Sequence, residues 1–181
     1  MLIYTPDITN RIRYIFQTIF VDVWNTPYEL TDDLIRFENH DGPKLNYSMS
    51  RLGEEFFVEC HDLLGEKGIS DQDIQITEWE GLPVFFQTSS YSSLPFDVFA
   101  ASFYLLSRYE EYLPHIRDHY ERFMAKKSLA FQHGFLQKPL VNLWLHKLLF
   151  LIQQAHTDFR PKGSKFKFIS TIDIDNAYCY L

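Results

Sequence analysis

The segment 166–174, FKFISTIDI, constrains the fold more than any other stretch of this sequence. Apolar residues alternate with polar ones at both of its ends, and Ile169 breaks that period in the middle. This pattern predicts a strand buried on both faces, as in a parallel sheet flanked by helices. A parallel strand needs a neighbouring strand and a crossover helix, and the seven residues after it are too few to supply them. We therefore expect a separate C-terminal strand.

Three longer segments upstream carry the pattern of amphipathic helices. In the first, 8–23, apolar residues recur at steps of three and four, and Pro27 follows shortly after the pattern stops. The second segment, 94–113, is rich in apolar residues, with Pro95 near its first turn and Pro114 directly after it. The third begins at Pro139, and its apolar stripe consists of Leu140, Val141, Trp144, Leu145, Leu148, Leu149 and Ile152.

Short apolar runs bounded by turn residues predict strands between these helices. The turn Glu80-Gly81 separates two of the runs and predicts a hairpin, whereas the polar stretch 61–73 is expected to be a loop with at most one helical turn. The order of elements indicates an α/β or α+β fold, a mixed sheet of short strands packed by three main helices. The predicted strands are 28–30, 44–48, 55–60, 74–79 and 82–86.

Composition excludes several classes of protein. With 46% hydrophobic and 17% aromatic residues, the chain has ample material for a core and is not a disordered polypeptide. The formal net charge is −7 and the basic residues are scattered, which argues against nucleic acid as a partner. Two cysteines form no metal-binding pair. The start of the sequence lacks the features of a signal peptide, and no apolar stretch reaches the roughly 20 residues of a membrane span. A cytoplasmic location is the expectation.

One stretch of the sequence looks like a boundary between two domains. The residues RPKGSK, 160–165, combine proline, glycine and charge, and they separate the last predicted helix from the C-terminal strand. We therefore predict a domain over 1–160 and a second unit, 161–181, which is a linker followed by the strand.

The strongest candidates for chemistry are Asp173 and Asp175 at the far end of that strand. Alternate residues on a strand share a face, so both carboxylates could point to one site. Ligands of α/β sheets and barrels gather at this end of the strands, and carboxylates there can bind a divalent cation or act as a base. One alternative is a turn that these aspartates and Asn176 cap. Another is a glycosyltransferase-like site, in which a D-x-D motif holds a metal–nucleotide-sugar complex.

Three other groupings are weaker candidates. His115 and His119 are four residues apart, with Asp118 between them as a conceivable supporting carboxylate, but the surrounding sequence is polar and indicates a solvated surface. Arg108 and Glu111 have the spacing of an ion pair on a helix surface. The adjacent pair at 60–61, Cys-His, has no second pair of ligands and is discounted.

The segments FDVFAASFYLLSRYEEYLP, SLAFQHGFLQKPLVNLWL and FKFISTIDIDNAY together resemble a family of polysaccharide-deacetylase-like proteins of Bacteroides-type bacteria. In that family an N-terminal domain of unassigned role precedes a deacetylase domain, which is a distorted (β/α) barrel. The resemblance implies that the C-terminal strand is the first strand of the barrel. It also implies that Asp173 is the general base and that Asp175 binds a divalent metal such as zinc.

The resemblance further requires a histidine pair downstream of the aspartates to complete the metal site, and only NAYCYL follows them. The expectation is therefore an accessory domain of a carbohydrate deacetylase, inactive as this fragment, whose parent acts on a glycan or glycan precursor. The competing hypothesis is a non-catalytic binding or scaffolding module. An apolar strand without neighbours also predicts a homodimer formed through the C-terminal strand.

Overall fold

A computed structural model describes residues 1–163 and 166–173, and its centre is a four-stranded parallel sheet. The strands are β1 (Leu2–Tyr4), β2 (Glu29–Thr31), β3 (Lys44–Ser48) and β4 (Phe56–Glu59), in the order β2-β1-β3-β4. All three pairings are parallel, and β3 pairs with β4 over the four positions from Leu45↔Phe56 to Ser48↔Glu59. The strands β2, β3 and β4 confirm three predicted strands, whereas β1 was not predicted.

Helices cover both faces of this sheet. The helix α1 (Asn10–Phe16) continues as a π-helix (Gln17–Val23), and its apolar side chains join those of Ile3 and Leu45 in the main core. The short helix α2 (Leu34–Glu38) lies on the opposite face, where its Phe37 ring is 5.4 Å from the ring of Tyr4. Because neighbouring residues of a strand point to opposite faces, Ile3 and Tyr4 settle which helix covers which face.

The connection between β3 and β4, residues 49–55, takes the place of a crossover helix. Asn46 and Ser48 point to the face opposite the main core and are buried. The Asn46 side-chain amide donates to the carbonyl of Ser50 at 2.9 Å and to the Glu55 carboxylate at 2.8 Å, and the Ser48 hydroxyl donates to Asn46 Oδ1 at 2.7 Å. This network satisfies the buried polar groups, so a polar loop can cover the sheet there.

The predicted hairpin forms as a separate two-stranded antiparallel sheet, β5 (Thr77–Trp79) and β6 (Leu82–Val84). The predicted third helix forms as α5 (Leu140–Ala155), which follows the short α4 (Leu129–Gln132). The indole N–H of Trp144, fully buried on α5, donates to the carbonyl of Pro83 at 3.1 Å and ties the helix to the hairpin. The overall α/β class is thus confirmed.

The predicted second helix, 94–113, is shorter than expected. The helix α3 (Val98–Leu106) begins late because the Asp97 side chain accepts the backbone N–H groups of Phe99 and Ala100, which is an N-cap. It ends early because Arg108 adopts the left-handed conformation, with φ 53°, and a 3₁₀ turn (Tyr109–Tyr112) follows. The cap and the left-handed residue together divide one apolar stretch into a helix and a separate turn.

The predicted C-terminal strand does not form within residues 166–173, the part of it that the structure describes. No described residue there belongs to a strand, and the side chains of Phe166 and Ile172 are 92% and 82% exposed. Among the described residues no strand lies beside this segment, and a lone strand has no partner for its backbone groups. Over the same described residues, no helix combines the length and apolarity needed to cross a membrane.

Candidate ligand-binding cleft

A cleft of about 460 Å3 opens at the carboxyl ends of the parallel strands. Its walls come from four parts of the chain: the loop after β1, the helix α1, the end of β3 and the turn after β4. The lining residues are Thr5, Pro6, Asp7, Ile12, Tyr47, Met49, Cys60, His61, Asp62, Leu64, Gly65 and Glu66. Ligands of open α/β sheets bind at this edge, so the position of the cleft is itself informative.

The cleft also lies where the direction of the sheet's connections changes. From β1 the chain passes through α1 to β2 on one side, and from β3 it passes to β4 on the other side. The two connections diverge and leave a crevice above the adjacent carboxyl ends of β1 and β3. The strand order 2-1-3-4 is that of one common doubly wound fold, whose ligands bind at this switch point.

Asp97 holds the back of the cleft together. It is fully buried, and its carboxylate accepts four hydrogen bonds, from the Tyr47 hydroxyl and the His61 backbone N–H, both at 2.7 Å, and from Phe99 and Ala100 N–H, both at 2.9 Å. One side chain therefore joins the end of β3, the turn after β4 and the start of α3. The buried carboxylate fixes the relative positions of the elements that form the cleft wall.

Burial decides the protonation of this cluster. Removal from water raises the pKa of Asp97 to about 6, although its four hydrogen-bond donors act in the opposite direction. Burial, followed by the nearby Asp97 charge, raises the pKa of Tyr47 well above its ordinary value, so the tyrosine remains a hydrogen-bond donor at neutral pH. Asp97 makes all its contacts with the protein, and its role is to position its neighbours.

His61 is the best-positioned polar side chain in the cleft. Its Nδ1 accepts the backbone N–H of Leu63 at 3.2 Å, and its ring stacks on Phe86 with ring centroids 4.1 Å apart and an angle of 24°. Burial lowers the pKa of His61, although the negative charges of Asp62 and Glu66 act in the opposite direction. The neutral imidazole is therefore favoured. Because Nδ1 is the acceptor, the neutral ring carries its proton on Nε2 and presents an N–H donor.

The residue beneath His61 has an unusual backbone. Phe86 adopts the left-handed conformation, with φ 63°, which a bulky side chain seldom occupies. Its carbonyl accepts the backbone N–H of Asp97 at 2.8 Å, so the strained residue is held by the same cluster that holds the His61 backbone. Strain of this kind costs about 1–3 kcal/mol and is concentrated at functional sites.

The rim of the cleft is acidic. Asp7 and Asp62 are exposed, so their carboxylates are accessible from the solvent. Glu66 accepts the hydroxyl of Ser70 at 2.9 Å. The nearby Arg11 is occupied, because its guanidinium donates to the carbonyls of Leu63 and Gly68 and faces Glu66. The rim therefore offers carboxylate acceptors, whereas the guanidinium of Arg11 is already engaged by protein groups.

Cys60 does not serve as a nucleophile in this environment. Burial, followed by the nearby Asp97 charge, raises the pKa of the thiol to about 12, so almost no reactive thiolate exists at neutral pH. Within residues 1–163 and 166–173 the structure contains no group of three histidine, cysteine or acidic side chains that could hold a metal ion. The arrangement is suited to binding a ligand by hydrogen bonds.

The residues predicted from the C-terminal motif lie elsewhere. Asp173 is exposed and belongs to no strand, and Asp175 falls outside the described residues. Of this pair, the structure describes only Asp173, which is not among the residues that line the cleft.

The weaker candidates are structural groups. His115 and His119 do not lie on a helix, and the His115 ring nitrogen Nδ1 is 2.8 Å from the carbonyl oxygen of Leu113. Asp118 accepts two backbone N–H groups of its own turn and pairs with Arg122, so it supports no histidine. Arg108 and Glu111 form the expected ion pair on the surface.

The Cys-His pair at 60–61, discounted as a metal site, lines the cleft, and Asp97 was not among the residues predicted from the sequence. The sequence does contain a signal for the Cys-His pair, because CHD follows directly after the apolar strand FFVE. Asp173 and Asp175 stand in the same way at the end of the C-terminal apolar run. For Asp97 the signal was an aspartate immediately before a helical stretch, a common N-cap. Its contacts with Tyr47 and His61 have no local signature.

These features define a small α/β domain with a polar cleft at the switch point of its parallel sheet. The chain belongs to a family of unknown function (DUF7033), whose family model matches residues 1–157. No curated protein matches the sequence. No solved structure matches it either.

Proposed function

We propose that this chain is the N-terminal accessory domain of a metal-dependent carbohydrate deacetylase, with its last residues belonging to the catalytic domain. The proposal starts from the sequence resemblance described above. The family of unknown function accounts for residues 1–157, just before the linker-like stretch 160–165. A boundary near residue 160 would separate an accessory domain, 1–160, from the start of a barrel, 161–181.

The observation that carries the proposal is the exposure of the apolar segment after the linker. Phe166, Phe168, Ile169 and Ile172 are all exposed, by 76% to 92%, whereas the domain before the linker buries its own core. Leaving such side chains in water forgoes roughly 1.5–3 kcal/mol for each one that could be buried. A strand that begins another domain would bury them, and the resemblance supplies that domain.

In this proposal Asp173 is the general base and Asp175 a ligand of zinc or a similar ion. The described residues do not fit a metal site by themselves, because Asp173 is exposed and no group of three ligands surrounds it. The remaining ligands would come from sequence beyond residue 181. The fragment is accordingly proposed to be inactive, and its parent to act on an acetylated glycan or glycan precursor in the cytoplasm.

The test is acetate release by the longer gene product, if its sequence continues beyond residue 181. The purified protein, supplied with zinc, should release acetate from an acetylated oligosaccharide, and Asp173→Asn and Asp175→Asn should each reduce the rate at least a hundredfold. Asp158→Asn, a change at an exposed aspartate outside the motif, is the matched control. A stop codon at position 182, or activity that survives both substitutions, would refute the proposal.

A second copy of the chain is the other candidate to cover residues 166–173. Exposed apolar segments without strand neighbours promote pairing, so the fragment could form a homodimer through this segment. Analytical ultracentrifugation of residues 1–181 and of the same chain carrying Phe166→Ser and Phe168→Ser distinguishes the two. Dimerisation that disappears in the variant supports self-pairing, and a monomer at high concentration excludes it.

A further inference from the structure

We propose that the cleft above β1 and β3 binds a neutral saccharide, with the imidazole of His61 as its central hydrogen-bond donor. This inference deepens the proposed function, on which the choice of a glycan as ligand partly rests.

The cleft has the position and the size of a small-molecule site. The cleft occupies the switch point of the parallel sheet, and its volume of about 460 Å3 lies within the roughly 300–1,000 Å3 of small-molecule sites. Its opposite walls are joined: the Thr9 hydroxyl donates to the carbonyl of Leu64 at 2.6 Å and accepts the backbone N–H of Ile12 at 3.1 Å. This link fixes the start of α1 against the turn after β4, so the cleft is largely preformed.

His61 is held in a fixed orientation. Its backbone N–H is held by Asp97, its Nδ1 by the N–H of Leu63 and its ring by Phe86. Among the described residues no protein group accepts a hydrogen bond from Nε2, the remaining polar atom of the ring. A donor held from three sides loses little conformational entropy when a ligand binds, which favours affinity.

The cleft combines a hydrogen-bond donor with several acceptors. His61 provides an N–H donor, and the carboxylates of Asp7, Asp62 and Glu66 line the same cleft as acceptors. A sugar hydroxyl both donates and accepts, so neighbouring hydroxyls of one ring could satisfy the imidazole and the carboxylates together. Ile12 and Met49 add apolar surface for the C–H groups of a sugar ring.

The same groups disfavour other ligands. An anion such as a phosphate would meet three carboxylates, and the guanidinium of Arg11 is already bound to two backbone carbonyls. The same charges disfavour the phosphate groups of a nucleotide. A divalent cation would need several converging ligands, and the residues that the structure describes hold no such group of three.

The experiment uses the complete chain, residues 1–181, on an array of immobilised neutral and acidic oligosaccharides. We expect binding to neutral oligosaccharides. NMR titration of the array hits then gives their dissociation constants and should shift the signals of the His61 ring. His61→Ala should weaken binding at least tenfold, and Asp62→Asn severalfold. His146→Ala, at an exposed histidine on α5, is the matched control and should bind like the wild type.

Three results would overturn the inference: no neutral oligosaccharide bound, acidic oligosaccharides preferred, or undiminished binding by His61→Ala. If His61→Ala does not fold, as judged by circular dichroism, Asp7→Asn and Asp62→Asn decide, because both positions are exposed. Binding without acetate release by the longer gene product would leave the cleft assignment standing and refute the deacetylase proposal. Acetate release with no saccharide bound by this chain would do the opposite.

Discussion

Substituting Asp97 by asparagine should remove a specific pH dependence of stability. The buried carboxyl has a pKa of about 6, compared with 3.8 for an unperturbed aspartate. The folded state therefore holds the proton more tightly than the unfolded chain. Between these two values the unfolded state loses its proton first, so stability falls as the pH rises.

The magnitude follows from the pKa difference. A difference of about 2 pH units corresponds to roughly 3 kcal/mol at full ionisation, of which about 2 kcal/mol is lost between pH 4 and pH 7. Asparagine has nearly the same shape, and its Oδ1 can still accept the N–H groups of Phe99 and Ala100. The amide nitrogen of asparagine cannot accept the His61 backbone N–H. The loss of this hydrogen bond costs about 1–3 kcal/mol at every pH.

The assay is urea unfolding followed by tryptophan fluorescence at several pH values between 4 and 7.5. The free energy of unfolding of the wild type, relative to Asp97→Asn, should decrease by about 2 kcal/mol over this range. Taking the difference cancels the titration of other groups, and Asp158→Asn controls for the loss of a charge. If the wild type instead gains stability relative to the variant as the pH rises, the four donors outweigh burial and the reasoning is wrong.

Three further changes test other parts of the structure. Tyr47→Phe removes one hydrogen bond to the buried carboxylate and should destabilise the fold by about 1–3 kcal/mol in urea unfolding, without changing its far-ultraviolet circular dichroism. Arg108→Gly should raise the melting temperature, because glycine relieves about 1 kcal/mol of left-handed backbone strain. The ion pair that is lost lies on the surface and contributes less than this. A lower melting temperature would contradict the prediction. In a Cys179→Ser background, Cys60 should react with iodoacetamide at pH 8 at least tenfold more slowly than free cysteine, because burial raises its pKa to about 12. Reaction at the rate of free cysteine would show that the thiol is not protected.

Much of the fold was predictable because its signals are local. The alternation in KLNYS predicted β3 with its observed bounds, 44–48, and the stripe from Leu140 to Ile152 predicted α5. The strand β1 was missed because three residues, LIY, are too short to show a period. The second helix was overextended because Arg108 gives no sign of its left-handed conformation in the sequence.

The candidate cleft was predictable only in part. The polar residues after β4 lie where ligand sites of parallel sheets occur, so His61 could have been found by that rule. The cleft itself joins residues from the ends of β1 and β3 and from the turn after β4, and no local pattern brings these together. The contact between Asp97 and the His61 backbone spans 36 positions of the sequence and follows from packing.

The sequence by itself determined the class of fold and the helices with a clear apolar stripe. These properties depend on the spacing of neighbouring residues, which one chain contains in full. Tertiary structure alone decided the parallel order of the strands, the switch point between β1 and β3, and the exposure of the segment 166–173. Each of these depends on which distant residues pack together, and burial of the shared core, with Asp97 at its polar centre, makes that choice.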